Sequence, residues 1–98
     1  MLDKIIAYLS SKGIVVSTDK QSRGNYVVVY KTDEVVENMI LQEEFTFKAY
    51  NSSYDKADER LDEIMNKLST NWSFNVIDGF HERTEDFHIS TVALRFWS

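Results

Sequence analysis

The residue pattern predicts a single α+β domain spanning residues 1–98. Its elements run in the order α-β-β-β-α-β-β, with a mainly antiparallel sheet and the longer helix packed on one sheet face. Three observations carry this. Apolar residues recur at helical spacing in two stretches, 2–9 and 54–68. Runs rich in β-branched and aromatic residues occupy 26–31, 43–50 and 87–97. The chain has 98 residues, the length of one domain, with no internal repeat, low-complexity tract or linker.

Leu2, Ile5, Ile6 and Leu9 fall at i, i+3, i+4 and i+7 and form one helix face. Asp3 suits the positive end of that helix and Lys12 its negative end. Gly13 is the natural stop, because it takes positive φ without strain. The spacing predicts a helix over residues 2–12. Residues 14–17 are short, apolar and β-branched, and read as a first strand or an extended entry. Residues 18–25 contain no apolar side chain and read as a loop. Tyr-Val-Val-Val-Tyr-Lys at 26–31 is a strand by composition. Residues 32–37 place charges around Val35 and Val36 and read as a turn. Residues 39–41 and 43–50 then form one strand, or two parted by a bulge. Phe45, Phe47 and Ala49 share one side of it, and Thr46, Lys48 and Tyr50 the other.

Asn51-Ser52-Ser53 ends that strand, and Ser52 with Asp55 fits a short-armed capping box. Tyr54, Ala57, Leu61, Ile64, Met65 and Leu68 mark one face of a four-turn helix. Residues 74–77 read as a strand running on towards Phe80, and residues 83–86 as a polar hairpin tip. The closing strand has Ile89, Val92, Leu94 and Phe96 as buried positions. No period-2 face holds all four, which predicts a bulge near Ser90 and Thr91. The core should gather Phe45, Phe47, Leu61, Ile64, Leu68 and Val92.

Composition narrows the function. The net charge of −5 opposes binding by phosphate neutralisation, so no sequence-specific nucleic-acid binding is expected. A double-stranded-RNA-binding domain has a similar element order. Its second helix needs a basic start, whereas this one opens with Tyr54, Asp55, Lys56 and Asp58. The chain has no cysteine, which removes disulfides, thiolate metal sites and Cys nucleophiles. No apolar run approaches the ~20 residues of a membrane span, and the first residues lack a secretory layout. The expectation is an acidic intracellular domain with no membrane partner.

Candidate chemistry is sparse. His81 and His88 lie near Glu82, Glu85 and Asp86, but a metal site needs three or four ordered ligands. A solvated polar turn is the simpler reading. Asp55, Asp58, Glu59, Asp62 and Glu63 interleave with Lys56, Arg60 and Lys67 opposite the apolar stripe, as a solvated helix face does. Asp33, Glu34, Glu37, Glu43 and Glu44 form a further acidic stretch. No nucleotide-binding glycine loop, nucleophile elbow or zinc-protease motif occurs. The expectation is no enzyme activity, no cofactor and no metal.

The aromatic residues, thirteen percent of the chain, point to contact instead. Tyr26 and Tyr30 share one side of a strand whose other side carries Val27 and Val29. A strand apolar on both sides is covered twice, or covered by a partner. Phe96 and Trp97 point oppositely, so one of them is free to anchor an interface. Arg83 and Glu85, at the polar hairpin tip, and the loop 18–25 would project as contacts. The candidate interface is therefore Tyr26, Tyr30, Arg83, Glu85 and Trp97.

Residues 43–50, Glu-Glu-Phe-Thr-Phe-Lys-Ala-Tyr, run directly into Asn51-Ser52-Ser53 and the helix Tyr-Asp-Lys-Ala-Asp-Glu-Arg-Leu-Asp-Glu-Ile-Met-Asn-Lys-Leu. A charged hairpin and a long closing strand follow. This arrangement resembles the tail-terminator or tail-completion proteins of tailed phages and prophages, together with the minor capsid and head–tail joining proteins near them. The likeness covers residues 43–98 and extends to the N-terminal half in outline. It departs from the family in lacking proline in the strand at 26–31. The resemblance implies a structural virion protein that caps the tail tube, ends its polymerisation and presents a surface to the head. It implies a homo-oligomeric ring, usually a hexamer, with the tail-tube protein and a head-completion or connector protein as partners. It implies residence at the head–tail interface, and in the host cytoplasm during assembly. An acidic lumen would let DNA pass without sticking.

An acidic, tyrosine-rich surface equally suits a small inhibitor or immunity-type protein that masks a basic partner. Stoichiometry separates the two: a ring former self-associates, and an inhibitor stays monomeric until its target arrives.

Overall fold

The computed structural model describes residues 1–19 and 24–97. The elements are α1 (Leu2–Ser11), β1 (Tyr26–Glu37), β2 (Ile40–Asn51), α2 (Tyr54–Leu68), β3 (Ser73–Arg83) and β4 (His88–Trp97). The strands form one antiparallel sheet in the order β1-β2-β4-β3. The α+β class and the packing of the long helix on the sheet are as the sequence predicts. The element order is instead α-β-β-α-β-β. Of the two readings of residues 14–17, the extended entry holds and the strand does not. Ser17 makes one parallel bridge to Val28, its N–H donating to Val27 O while its carbonyl accepts from Val29 N. Ile14 and Val16 turn inwards and Val15 turns out. This segment thus laps the start of the β1 edge without extending the sheet.

Strand alternation explains the core. Val27 and Val29 of β1, Phe45, Phe47 and Ala49 of β2, and Val92, Leu94 and Phe96 of β4 share the helix-covered face. They meet Ile5 and Leu9 of α1 and Ala57, Leu61, Ile64 and Leu68 of α2. The six expected core residues are all in this cluster. A second, smaller cluster of Val28, Tyr50 and Ile89, with Tyr26 and Phe87 against it, occupies the helix-free face. That is why no single face of the last strand holds all its apolar residues: Ile89 serves the other side. No bulge falls at Ser90 and Thr91. The register shifts lie instead between Lys31 and Asp33 in β1 and between Val76 and Asp78 in β3.

Two local readings change. Residues 32–37 continue β1, and the turn is Asn38-Met39, with φ of 51° and 65°. Positive φ at both central residues is the two-residue hairpin geometry whose favoured sequence is Asn-Gly. Asn tolerates it, but Met39 pays about 1–2 kcal/mol for a left-handed backbone. Charges on this arm misread as a turn because the arm runs out past the helices, where both of its faces are wet. The N-cap of α2 is Ser53, not Ser52: its Oγ accepts from Lys56 N at 3.2 Å.

Candidate functional site

The structure separates the expected interface residues. Tyr26 is half-buried, stacked on Tyr50 at 4.4 Å and edge-on to Phe87 at 5.7 Å, so its own chain covers much of it. Tyr30, four residues on, lies on the same helix-free face and is exposed. Arg83 and Glu85 are exposed and line a small cavity with Ser52 and Phe87 at the same end of the sheet as Tyr26. Trp97 is 40% exposed at the opposite end, across from Gln42 and Ser73. These residues therefore make no single patch. The proposed contact loop 18–25 lies partly outside the described residues.

The larger exposed apolar surfaces are ones the sequence reading passed over. At the tip of the β1–β2 hairpin stand Val36 (69% exposed), Met39 (97%) and Ile40 (45%). On the outer strand β3 stand Val76, Ile77 and Phe80, all about half exposed. β1 and β3 are the two sheet edges, about 14 Å apart across three strand spacings. The available signal for the first was an Asn at a break in strand pattern, followed by Met and Ile.

Both edges carry the same protective device. After each bulge comes an aspartate whose carboxylate accepts the next residue's N–H: Asp33 Oδ1 from Glu34 N, and Asp78 Oδ1 from Gly79 N, both at 2.8 Å. A bulge with a charge and an occupied donor blunts strand addition. Assembly through side chains remains open to such a molecule. Asp78→Ala is expected to raise concentration-dependent light scattering while leaving the circular-dichroism spectrum unchanged. Identical scattering from both proteins would refute the role.

Asp58, read from sequence as part of a solvated face, is a hub. Ser90 Oγ donates to Asp58 Oδ1, and His81 Nε2 lies 2.9 and 3.2 Å from its two oxygens. Burial acts to raise the Asp58 pKa. The hydrogen bonds from Ser90 and His81, and the charge of His81, outweigh that and hold the carboxyl below its ordinary value. The carboxylate stands between hydroxyl and imidazole. A serine nucleophile needs the imidazole beside its own oxygen, so this order ties α2 to β3 and β4 and is not a nucleophile–base pair. Tyr54 braces the group: its ring stacks on His81 at 4.5 Å and meets His88 edge-on at 4.3 Å, and its Oη donates to Glu82 O at 2.8 Å. Among the described residues, no group of three or more His, Asp or Glu gathers as metal ligands. No described helix is long and apolar enough to cross a membrane.

The acidic stretch of the hairpin is partly answered within the chain. Lys31 pairs with Glu34 at 2.6 Å and Glu43 at 3.4 Å, and Arg95 with Glu44 at 3.3 Å and Asp33 at 3.6 Å. Two cations thus serve four carboxylates, and among the described residues Glu37, beside the tip, has no ion pair.

Two of the cavities beside α2 are lined partly by core residues. One, of about 390 Å³, lies between α2 and β3 over Leu61, Met65 and Val92, with Asp58 and Asp62 on its wall. The other, of about 300 Å³, lies at the end of the sheet remote from the hairpin tip, between Val15, Tyr26, Tyr50 and Arg60. No protein-family model matches the chain, and a comparison with curated proteins finds no significant relative.

Proposed function

We propose that this chain is an assembly subunit of a phage-type tail, closing into a ring that caps the tail tube, ends its growth and joins it to the head. The observation that carries the reading is the division of exposed apolar surface between the hairpin tip and the opposite sheet edge. A rotational ring needs two different patches on each subunit, because its contacts are head-to-tail. The sequence resemblance over residues 43–98 supplies the tail role. The blunted edges fit a subunit that must stop at a closed ring rather than grow by strand addition.

The test is co-expression with the tail-tube subunit of the same phage or prophage. Electron microscopy should show tubes of uniform length with a density at one end, and deletion of this chain should give tubes of uncontrolled length. Tubes of the same length distribution with and without the chain would sink the reading.

A second reading, an inhibitor that masks a basic protein, is favoured by the excess of carboxylates on the hairpin arm. A tight complex with one copy of a basic enzyme, by a chain that stays monomeric at high concentration, would support it instead.

A further inference from the structure

The helices cover one face of the sheet, and strand parity assigns the residues left on the other. Tyr30 and Val35 of β1, Trp97 of β4 and Phe80 of β3 are exposed there, spread along the sheet. Between Tyr30 and Phe80 the central strands carry Thr46, Lys48, Thr91 and Ala93. We infer that two copies of the chain stack through their helix-free faces about a two-fold axis that runs along the strands between β2 and β4. β1 of each copy then lies over β3 of the other, at the separation of about 10 Å and the angle of about 30° of aligned sheets. This contact goes beyond the ring reading and does not rest on it.

Three features select this arrangement. The first is that the face complements itself row by row. Tyr30, Thr46, Ala93 and Asp78 form one row across the sheet, and Val28, Lys48, Thr91 and Phe80 the next. The two-fold axis lays each row over its own reverse. Tyr30 comes over Asp78 of the second copy, where its hydroxyl can donate to the carboxylate. Val28 comes over Phe80 of the second copy, and Thr46 over its Ala93, two short side chains that let the sheets close. A third row holds Asp33, Glu44, Arg95 and Asn75. Glu44 and Arg95 pair at 3.3 Å within the chain. Stacking sets each over the opposite charge of the second copy, which makes a square of alternating sign. A two-fold axis across the strands through the Tyr30 row would instead set Asp78 against its own copy. The second feature is Thr91, which is 3% exposed and whose Oγ1 has no hydrogen-bond partner among the described residues. A buried hydroxyl left so is costly. Lys48 of the second copy lies over it, with an ammonium that stands 3.6 Å from Glu82 of its own chain and has the reach to donate to Thr91. The third feature is area. Four strands at about 4.8 Å spacing and about 33 Å of paired length project roughly 600 Å². Side-chain relief adds to that, towards the roughly 800 Å² per partner of a stable interface. Val36 and Val76 point to the helix side and Met39 stands at the tip, so the stack leaves them uncovered for a head-to-tail contact.

Sedimentation of the full chain at millimolar concentration is expected to show a dimer. Phe80→Ser, at an exposed position of β3, should weaken that dimer by about tenfold or more while leaving the circular-dichroism spectrum unchanged. Met39→Ser, which removes the apolar tip of the hairpin, should keep the dimer and abolish only species larger than two copies. Glu44→Arg and Arg95→Glu should each sediment as a monomer, because either change fills the square with like charges. An equimolar mixture of these two variants should recover the dimer. An ion pair within one chain gives no such recovery on mixing. Both variants keep a net negative charge, so bulk attraction does not supply it either. A parent chain that stays monomeric would overturn the stack. So would a dimer that survives Phe80→Ser but not Met39→Ser, or a charge-swapped mixture no more dimeric than its components.

Discussion

Phe47→Ala is expected to lower the unfolding free energy by about 3–5 kcal/mol. Phe47 is fully buried on the central strand β2, flanked by Val29 of β1 and Val92 of β4. It lies in the same cluster as Leu61 and Ile64 of α2. Truncation removes a large apolar side chain from between sheet and helix, and neither layer can collapse freely into the space, because each is pinned by its own hydrogen bonds. The loss is a large part of the 5–15 kcal/mol typical of a domain. Leu61→Ala, on the facing helix, should cost about 2–5 kcal/mol. Val36→Ala, far out on the hairpin, should stay within about 0.5 kcal/mol. Urea titrations of the three variants separate these cases. An unchanged midpoint for Phe47→Ala would mean that α2 does not cover that face. If the midpoint moves for Val36→Ala as well, the hairpin arm belongs to the cooperative core.

The legible part of this fold is the part where one face is dry. α2 and the inner halves of β1, β2 and β4 announce themselves because burial demands apolar residues at a fixed period, and Phe45, Phe47, Leu61 and Val92 keep it. The outer half of β1 and all of β3 but Phe74 are exposed, so nothing demands alternation there, and Asp33, Glu34 and Glu37 sit in a strand although they read as a turn. Ile14 and Val16 illustrate the converse: apolar and β-branched, they fill the core from an irregular segment, because burial alone does not require a ladder. Of the expected interface residues, Trp97 is the one whose exposure parity foretells, since its neighbour Phe96 takes the core. The hairpin tip was not legible, because its meaning depends on a turn that uses Met where the geometry asks for glycine. Asp58 was hidden for another reason. Its partners Ser90 and His81 are 32 and 23 residues away, and only the pairing of β3 with β4 beside α2 brings all three together.

Asp58→Ala is expected to cost about 1–3 kcal/mol at neutral pH, chiefly through Ser90. The Ser90 residue is 4% exposed, and its hydroxyl donates to the Asp58 carboxylate. Removing the acceptor leaves a buried polar group with its desolvation uncompensated, whereas His81, with its side chain 48% exposed, can turn to water. The double variant Asp58→Ala with Ser90→Ala should therefore be more stable than Asp58→Ala alone. The same carboxylate sets an acid dependence. Its pKa in the folded chain is lower than the ordinary 3.8, so the unfolded chain binds more protons across that interval. The stabilisation is complete above the ordinary value and is lost as pH falls through it towards the folded-state pKa. Asp58→Asn should accordingly flatten the stability profile below about pH 4, where an unfolded carboxyl begins to protonate. Parallel profiles for the parent and Asp58→Asn through that range would show that Asp58 carries no differential interaction in the folded state.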